Sequence, residues 1–117
     1  MERLLVIGPP SQTRKILVNK LKKGGYEVSA ENGLMDFCDL ERAGFDLVIV
    51  NNEDIEQGPI KSCDDLVTVI DYTVATKVII FSKVRFILSF KNLTYVAKEW
   101  GYRPLLDYIE TLFGREI

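Results

Sequence analysis

The chain has 117 residues, 47% of them hydrophobic, so it suits a single domain with a real core and is not a disordered segment. It holds 15 Lys+Arg against 17 Asp+Glu, a net charge of -2, which argues against a protein that wraps nucleic-acid phosphates. It has no histidine and only Cys38 and Cys63 as thiols, which removes Ser-His-Asp and Cys-His catalysis, His-ligated zinc, a disulfide framework and a four-cysteine metal site.

Arg3 to Gly8 (RLLVIG) is a short apolar run closed by Gly8-Pro9-Pro10, the pattern of a strand buried on both faces. Ser11 is an N-cap, and the stretch Gln12 to Lys23 spaces Ile16, Leu17 and Leu21 as one helical face, stopped by Gly24-Gly25. Tyr26 to Ala30 predicts a second strand and Asn32-Gly33 a turn. Leu34 to Ala43 predicts a short helix, and Phe45 to Val50 (FDLVIV) the strongest strand, which ends in the polar run Asn51-Asn52-Glu53-Asp54.

Gly58-Pro59 punctuates a loop, and Ser62 to Asp65 resembles a capping box. The following LVTVIDYTVA is rich in β-branched residues, but Leu66, Val69, Ile70 and Val74 recur at helical spacing, and a parallel sheet needs a crossover there. Lys77 to Phe81 (KVIIF) predicts a fourth buried strand, followed by Ser82. In Lys83 to Trp100, Phe86, Leu88 and Phe90 alternate like a strand, whereas Leu93, Val96 and Ala97 are spaced like a helix; mostly helix is expected. A fifth strand between Trp100 and Arg103 would have only about four residues. Pro104 opens a last helix with the stripe Leu105, Ile109, Leu112 and Phe113, closed by Gly114.

Short apolar strands alternating with amphipathic helices imply a parallel sheet covered on both faces. With right-handed crossovers, the expectation is a flavodoxin-like three-layer (βα)5 α/β fold in one domain over residues 1–117, strand order 2-1-3-4-5, the fifth strand short or irregular. Ligands in such folds sit at the carboxyl ends of the strands. No apolar run approaches the roughly 20 residues that span a bilayer, and no signal pattern opens the chain, so neither a membrane nor export is expected and the location is read as cytoplasmic.

At those strand ends the chain resembles a response-regulator receiver domain of the CheY-like type. The resemblance rests on LLVIG, SQTRKILVNKLKKGGYEV, AENG, FDLVIV, KVIIFS and Arg103-Pro104. Asn51 to Ser82 is 31 residues and Ser82 to Arg103 is 21, close to that family's intervals from phospho-acceptor to hydroxyl and from hydroxyl to lysine. The family's chemistry uses an acidic pair after the first strand to hold Mg²⁺, an aspartate after the third to accept a phosphoryl group, a Ser/Thr after the fourth and a Lys-Pro after the fifth.

Against that pattern, Gly8-Pro9 stands for the acidic pair, Asn51 for the aspartate and Arg103 for the lysine, while Ser82 keeps its type. Trp100, three residues before Arg103, stands where family members carry a Tyr or Phe. The resemblance therefore implies a degenerate receiver, a pseudo-receiver with a vestigial phosphorylation site at Gly8, Pro9, Asn51, Ser82 and Arg103. It implies no enzyme activity, no metal and no cofactor. Its function would be phosphorylation-independent signalling or transcription regulation by homodimerisation or docking to a protein partner, with a C-terminal effector domain if the chain continues. The expected surface is the face of the fourth helix, fifth strand and fifth helix, with Trp100, Tyr102, Tyr95 and Tyr108. The alternative is a small-ligand or nucleotide sensor at the strand-end crevice, contacted by Ser82, Arg103 and the Asn51-Asn52 amides.

Other features are read conservatively. Glu53 and Asp54 fit a solvated acidic loop, GPPSQTRK a tight turn without the second Gly and Lys-Ser/Thr of a Walker loop, and Cys38 and Cys63 inert small residues. Lys15, Lys20, Lys22 and Lys23 fit a solvated helix face.

Overall fold

The computed structural model describes residues 2–32, 44–52, 77–83 and 93–114. The elements run β1 (Arg3–Ile7), α1 (Gln12–Lys23), β2 (Glu27–Glu31), β3 (Leu47–Asn52), β4 (Lys77–Ser82), β5 (Leu93–Ala97), a 3-10 turn (Lys98–Trp100) and α2 (Arg103–Phe113). All strand pairs are parallel, in the order β2-β1-β3-β4-β5. This is the flavodoxin-like order expected from the alternation of apolar runs. The expected turn at Gly33, the helices over 34–43 and 66–75, the loop at Gly58-Pro59, the start at Ser62, and Cys38, Glu53, Asp54, Cys63 and Phe90 lie outside the described residues.

The three central strands are buried along almost their whole length. Alternate side chains go to opposite faces. On one face Leu4, Val6, Leu47, Ile49, Ile79 and Phe81 pack with Leu17 and Leu21 of α1 and Leu105, Leu106 and Ile109 of α2. On the other face Leu5, Ile7, Val48, Val50, Val78 and Ile80 form a second cluster. Fully burying one such side chain stabilises the fold by about 1.5–3 kcal/mol, so these two layers set the sheet's register. β2, at the edge, keeps Glu27 and exposed Ser29 and Ala30, a charged and short edge that resists further pairing.

α1 has the predicted limits because both ends are chemically marked. Ser11 Oγ accepts from the Arg14 N–H at 3.2 Å, and Gly24 N–H donates back to Lys20 and Leu21 carbonyls at 3.1 and 3.0 Å. Lys20, Lys22 and Lys23 in the last turn suit the negative end of the helix dipole. α2 begins with Pro104 in its first turn and stops at Gly114, whose φ of 69° is left-handed and favours glycine. No described helix is long and apolar enough to cross a membrane.

Three expectations need correction. β3 starts at Leu47, not Phe45, because Asp46 is spent on the chain before it: Asp46 Oδ2 accepts from Arg3 N–H and Asp46 N–H donates to Arg3 carbonyl, each at 2.8 Å. β3 also runs on through Asn51 and Asn52, which stay in register with Phe81 and Ser82. The largest correction is β5. Residues 93–97 were expected to be helical, with any fifth strand between Trp100 and Arg103. They are instead the fifth strand, paired from Val78↔Leu93 to Ser82↔Ala97. The i, i+3, i+4 spacing of Leu93, Val96 and Ala97 favours a helix, but over five residues it is too short to decide, and the β-branched and aromatic content of Thr94, Tyr95 and Val96 prevails once the β4 edge is available. Trp100 closes the 3-10 turn that follows.

Candidate functional site

The carboxyl ends of the strands come together as two rows across the sheet. In one, Gly8 follows the Ile7↔Val50 pair and lies beside Asn51, which pairs with Phe81, which pairs with Val96. In the next, Asn52 pairs with Ser82 and Ser82 with Ala97. Asn51 and Asn52 are both 0% exposed and Ser82 is 5%. Three polar side chains buried at one end of an apolar sheet are costly unless they are hydrogen-bonded. Asn52 Nδ2 donates to Ser82 Oγ at 3.3 Å within this buried layer. The receiver resemblance groups Asn51 with Ser82 in one vestigial site. The pleat gives this hydrogen bond to the neighbour of Asn51, because Asn52 and Ser82 share one face of the sheet with Val50 and Ile80.

Gly8 is where β1 and β3 come closest. A Cβ at this position would stand 2.5 Å from the Asn51 carbonyl oxygen and 3.2 Å from Asn51 Cβ. The Gly8 backbone is also held from its other side. Its N–H donates to Glu31 carbonyl at 2.9 Å, and its carbonyl accepts from Arg14 Nη1 at 3.0 Å. The same Nη1 donates to Asn32 Oδ1 at 2.7 Å, tying the ends of β1 and β2 together. A side chain of any kind is therefore excluded at Gly8 without movement of the sheet. Pro9, half-buried, follows it.

Mg²⁺ demands several oxygen ligands, carboxylates among them. Gly8, Pro9 and Asn51 offer no carboxylate, and among the described residues no three His, Cys, Asp or Glu side chains gather. Gly8, Pro9 and Asn51 by themselves do not fit the ion that the receiver resemblance implies.

Arg103 does not stand at a strand end. It is the first residue of α2, its side chain 56% exposed, and its guanidinium is bound along the helix to Asp107 Oδ1 at 2.6 Å and Glu110 Oε1 at 2.9 Å. Those two carboxylates, Glu110 first, raise its pKa above the usual arginine value. The residue that follows the fifth strand is Lys98, one position beyond the Ser82↔Ala97 pair. Lys98 is half-buried, with Nζ 5.4 Å from the centre of the Phe81 ring. The sequence reading missed it because the strand before it was misplaced. The mark that could have found it is the strand-like run Thr94-Tyr95-Val96 immediately ahead of a lysine. With β5 at its observed place, the aromatic residue three positions before this lysine is Tyr95, not Trp100. Arg103→Ala is expected to leave the urea midpoint close to that of the unmodified chain, since exposed ion pairs contribute little. A large loss would show that Arg103 supports the strand ends after all.

The four aromatic residues expected on one surface have different environments. Trp100 is 73% exposed and is the exposed large hydrophobic of the described chain. Tyr102 is half-buried with its ring 5.8 Å from that of Phe81. Tyr108 shares a hydroxyl hydrogen bond of 3.1 Å with Thr94, and Tyr95 packs against the second apolar layer. Lys15, Lys20, Lys22 and Lys23 are exposed on α1, as a solvated face requires.

Among solved structures, the chain matches response-regulator proteins over nearly its full length. The response regulator TrrA of Thermotoga maritima, crystallised in complex with Mg²⁺-BeF, is 24% identical with a TM-score of 0.74, covering 96% of this chain and 99% of that one. A chain from the complex of the histidine kinase ThkA with TrrA is 22% identical with a TM-score of 0.70, covering 96% and 98%. The receiver domain of the hybrid histidine kinase CckA is 19% identical with a TM-score of 0.67, covering 93% and 96%. No protein-family model matches the sequence, and no curated protein matches it. At these identities the likeness is one of fold: the chain has the fold of response-regulator receivers over nearly its whole length.

Proposed function

We propose that this chain is a receiver-type regulatory domain that signals without phosphoryl transfer, through contact with a protein partner or a second copy of itself. One observation carries this reading. The five-stranded sheet of the receiver fold is present, while the ends of its first and third strands carry Gly8-Pro9 and Asn51 where the resemblance calls for three carboxylates. An amide is a poor nucleophile and carries no charge to recruit a divalent cation. The vestigial site is thus Gly8, Pro9, Asn51 and Ser82, with Lys98 rather than Arg103 as its cation. TrrA, which shares the fold, was crystallised with a histidine kinase, so protein contact is a use to which this scaffold is put. The contact in this chain centres on Trp100, because a large ring left in water gains more than any other exposed side chain here from being covered.

The test is the intact mass of the protein after incubation with acetyl phosphate and Mg²⁺. It is expected to stay unchanged. A gain of one phosphoryl group, lost on Glu53→Gln or Asp54→Asn, would overturn the reading. Trp100→Ala is expected to weaken self-association in sedimentation equilibrium, or partner binding where the protein alone is monomeric, while the urea midpoint stays where it was.

A further inference from the structure

A pocket of about 200 Å³ opens beside the strand ends, between the first turn of α1, the end of β4 and the turn after β5. Thr13, Phe81, Lys83, Lys98, Gly101 and Tyr102 line it. It shares Lys98 with the vestigial site proposed above but adjoins rather than includes Asn51, Asn52 and Ser82. We propose that this pocket binds a small organic anion: a single carboxylate or phosphate-monoester head joined to one flat apolar ring.

Charge supports this. Among the described residues that line the pocket, the two with a net charge, Lys83 and Lys98, are both cations. The Thr13 hydroxyl adds a neutral donor, and it sits in the first turn of α1, where the helix dipole favours negative charge. Shape supports the ring. Tyr102, half-buried and packed on the buried Phe81 with centroids 5.8 Å apart and a tilt of 39°, gives the pocket one aromatic wall. Gly101 keeps that side open. Its φ of 77° and ψ of -162° belong to a backbone region that is essentially glycine's, and no described residue lies within 4 Å of where its Cβ would be.

Size sets both limits. The pocket has the volume of about six or seven waters at roughly 30 Å³ each, more than a bare oxyanion fills. It is below the roughly 300–1,000 Å³ of sites for drug-sized ligands, so a nucleotide or a flavin is too large to be enclosed. Its place is also where doubly wound sheets take ligands, outside the carboxyl ends of the strands.

The experiment is an amide-resolved NMR titration of the full chain with benzoate, phenyl phosphate, inorganic phosphate and benzylamine. Benzoate and phenyl phosphate are expected to shift the Thr13, Gly101 and Tyr102 amides saturably, and the tighter of the two identifies the preferred head. Inorganic phosphate is expected to bind roughly tenfold more weakly, and benzylamine not at all. Lys83→Met, at an exposed position that the fold does not need, is expected to weaken benzoate and phenyl phosphate roughly tenfold, and Lys98→Met at least as much. Equal binding of benzylamine, inorganic phosphate as tight as the ring compounds, or unchanged affinity in Lys83→Met would each overturn the proposal, as would no saturable shift with either ring compound.

Discussion

Gly8→Ala is expected to lower stability by about 1–3 kcal/mol, and Gly8→Asp by more. The reason is a contact rather than a conformational preference. The new Cβ would stand 2.5 Å from the Asn51 carbonyl oxygen, so β1 or β3 must move. Neither is free to do so. Gly8 is fixed by hydrogen bonds to Glu31 and Arg14, and Asn51 is held in the ladder opposite Phe81. Aspartate adds the cost of a carboxylate in a buried position. With a domain stability of about 5–15 kcal/mol, the aspartate variant removes a large part of the total. For alanine the urea midpoint should fall by about 1 M, given slopes of about 1–3 kcal/mol per M. A midpoint unchanged within error would show that the two strands can part. The consequence reaches beyond stability. The backbone leaves no room for a side chain at Gly8, the position where the receiver resemblance calls for an acidic one.

Asn51→Asp is expected to cost about 3–5 kcal/mol near neutral pH and almost nothing in acid. The substitution keeps the shape and changes the charge. Asn51 is 0% exposed, in a strand whose neighbours Val50 and Ile49 are equally buried. Burial raises a carboxyl's pKa because the charged form loses water. In the unfolded chain the same group titrates near its ordinary value of about 3.9. Below that value both states hold the proton and the variant matches the parent. As pH rises through it, the unfolded chain ionises first, so stability falls, and it goes on falling until the raised folded-state pKa is passed. Urea midpoints of the two proteins between about pH 4 and pH 8 should therefore diverge on the alkaline side. A constant difference would mean that a cation already neutralises this position. The variant is also expected to take up no phosphoryl group from acetyl phosphate and Mg²⁺. It gains an acceptor, but Gly8-Pro9 still supplies no carboxylate to hold the metal.

The legible parts of the fold were those whose signals are local. β1, β3 and β4 announce themselves as uninterrupted apolar runs because both of their faces are buried. α1 could be bounded at both ends because its N-cap and its glycine stop are single residues. β5 was not legible in the same way. It is an edge strand of five half-buried residues, with no buried face of its own to impose a period. Its identity comes from the free side of β4, and with it comes the place of Lys98. The candidate site divides along the same line. That Gly8-Pro9 follows the first strand, and that an amide, Asn51, stands near the end of the third, is written in the residue types. The pairing of Asn52 with Ser82, the solvent position of Arg103 and the pocket under Gly101 are not.

Sequence alone determined the α/β alternation, the parallel sheet and the residue types Gly8-Pro9 and Asn51 at two strand ends, since each follows from which residues are present and how they are spaced. Only the tertiary structure decided which side chains meet. Parallel pairing joins residues some 30 positions apart, and a one-residue choice of register or strand limits moves a side chain to the opposite face. That is why Asn52 reaches Ser82, why Lys98 displaces Arg103 as the strand-end cation, and why no side chain fits at Gly8.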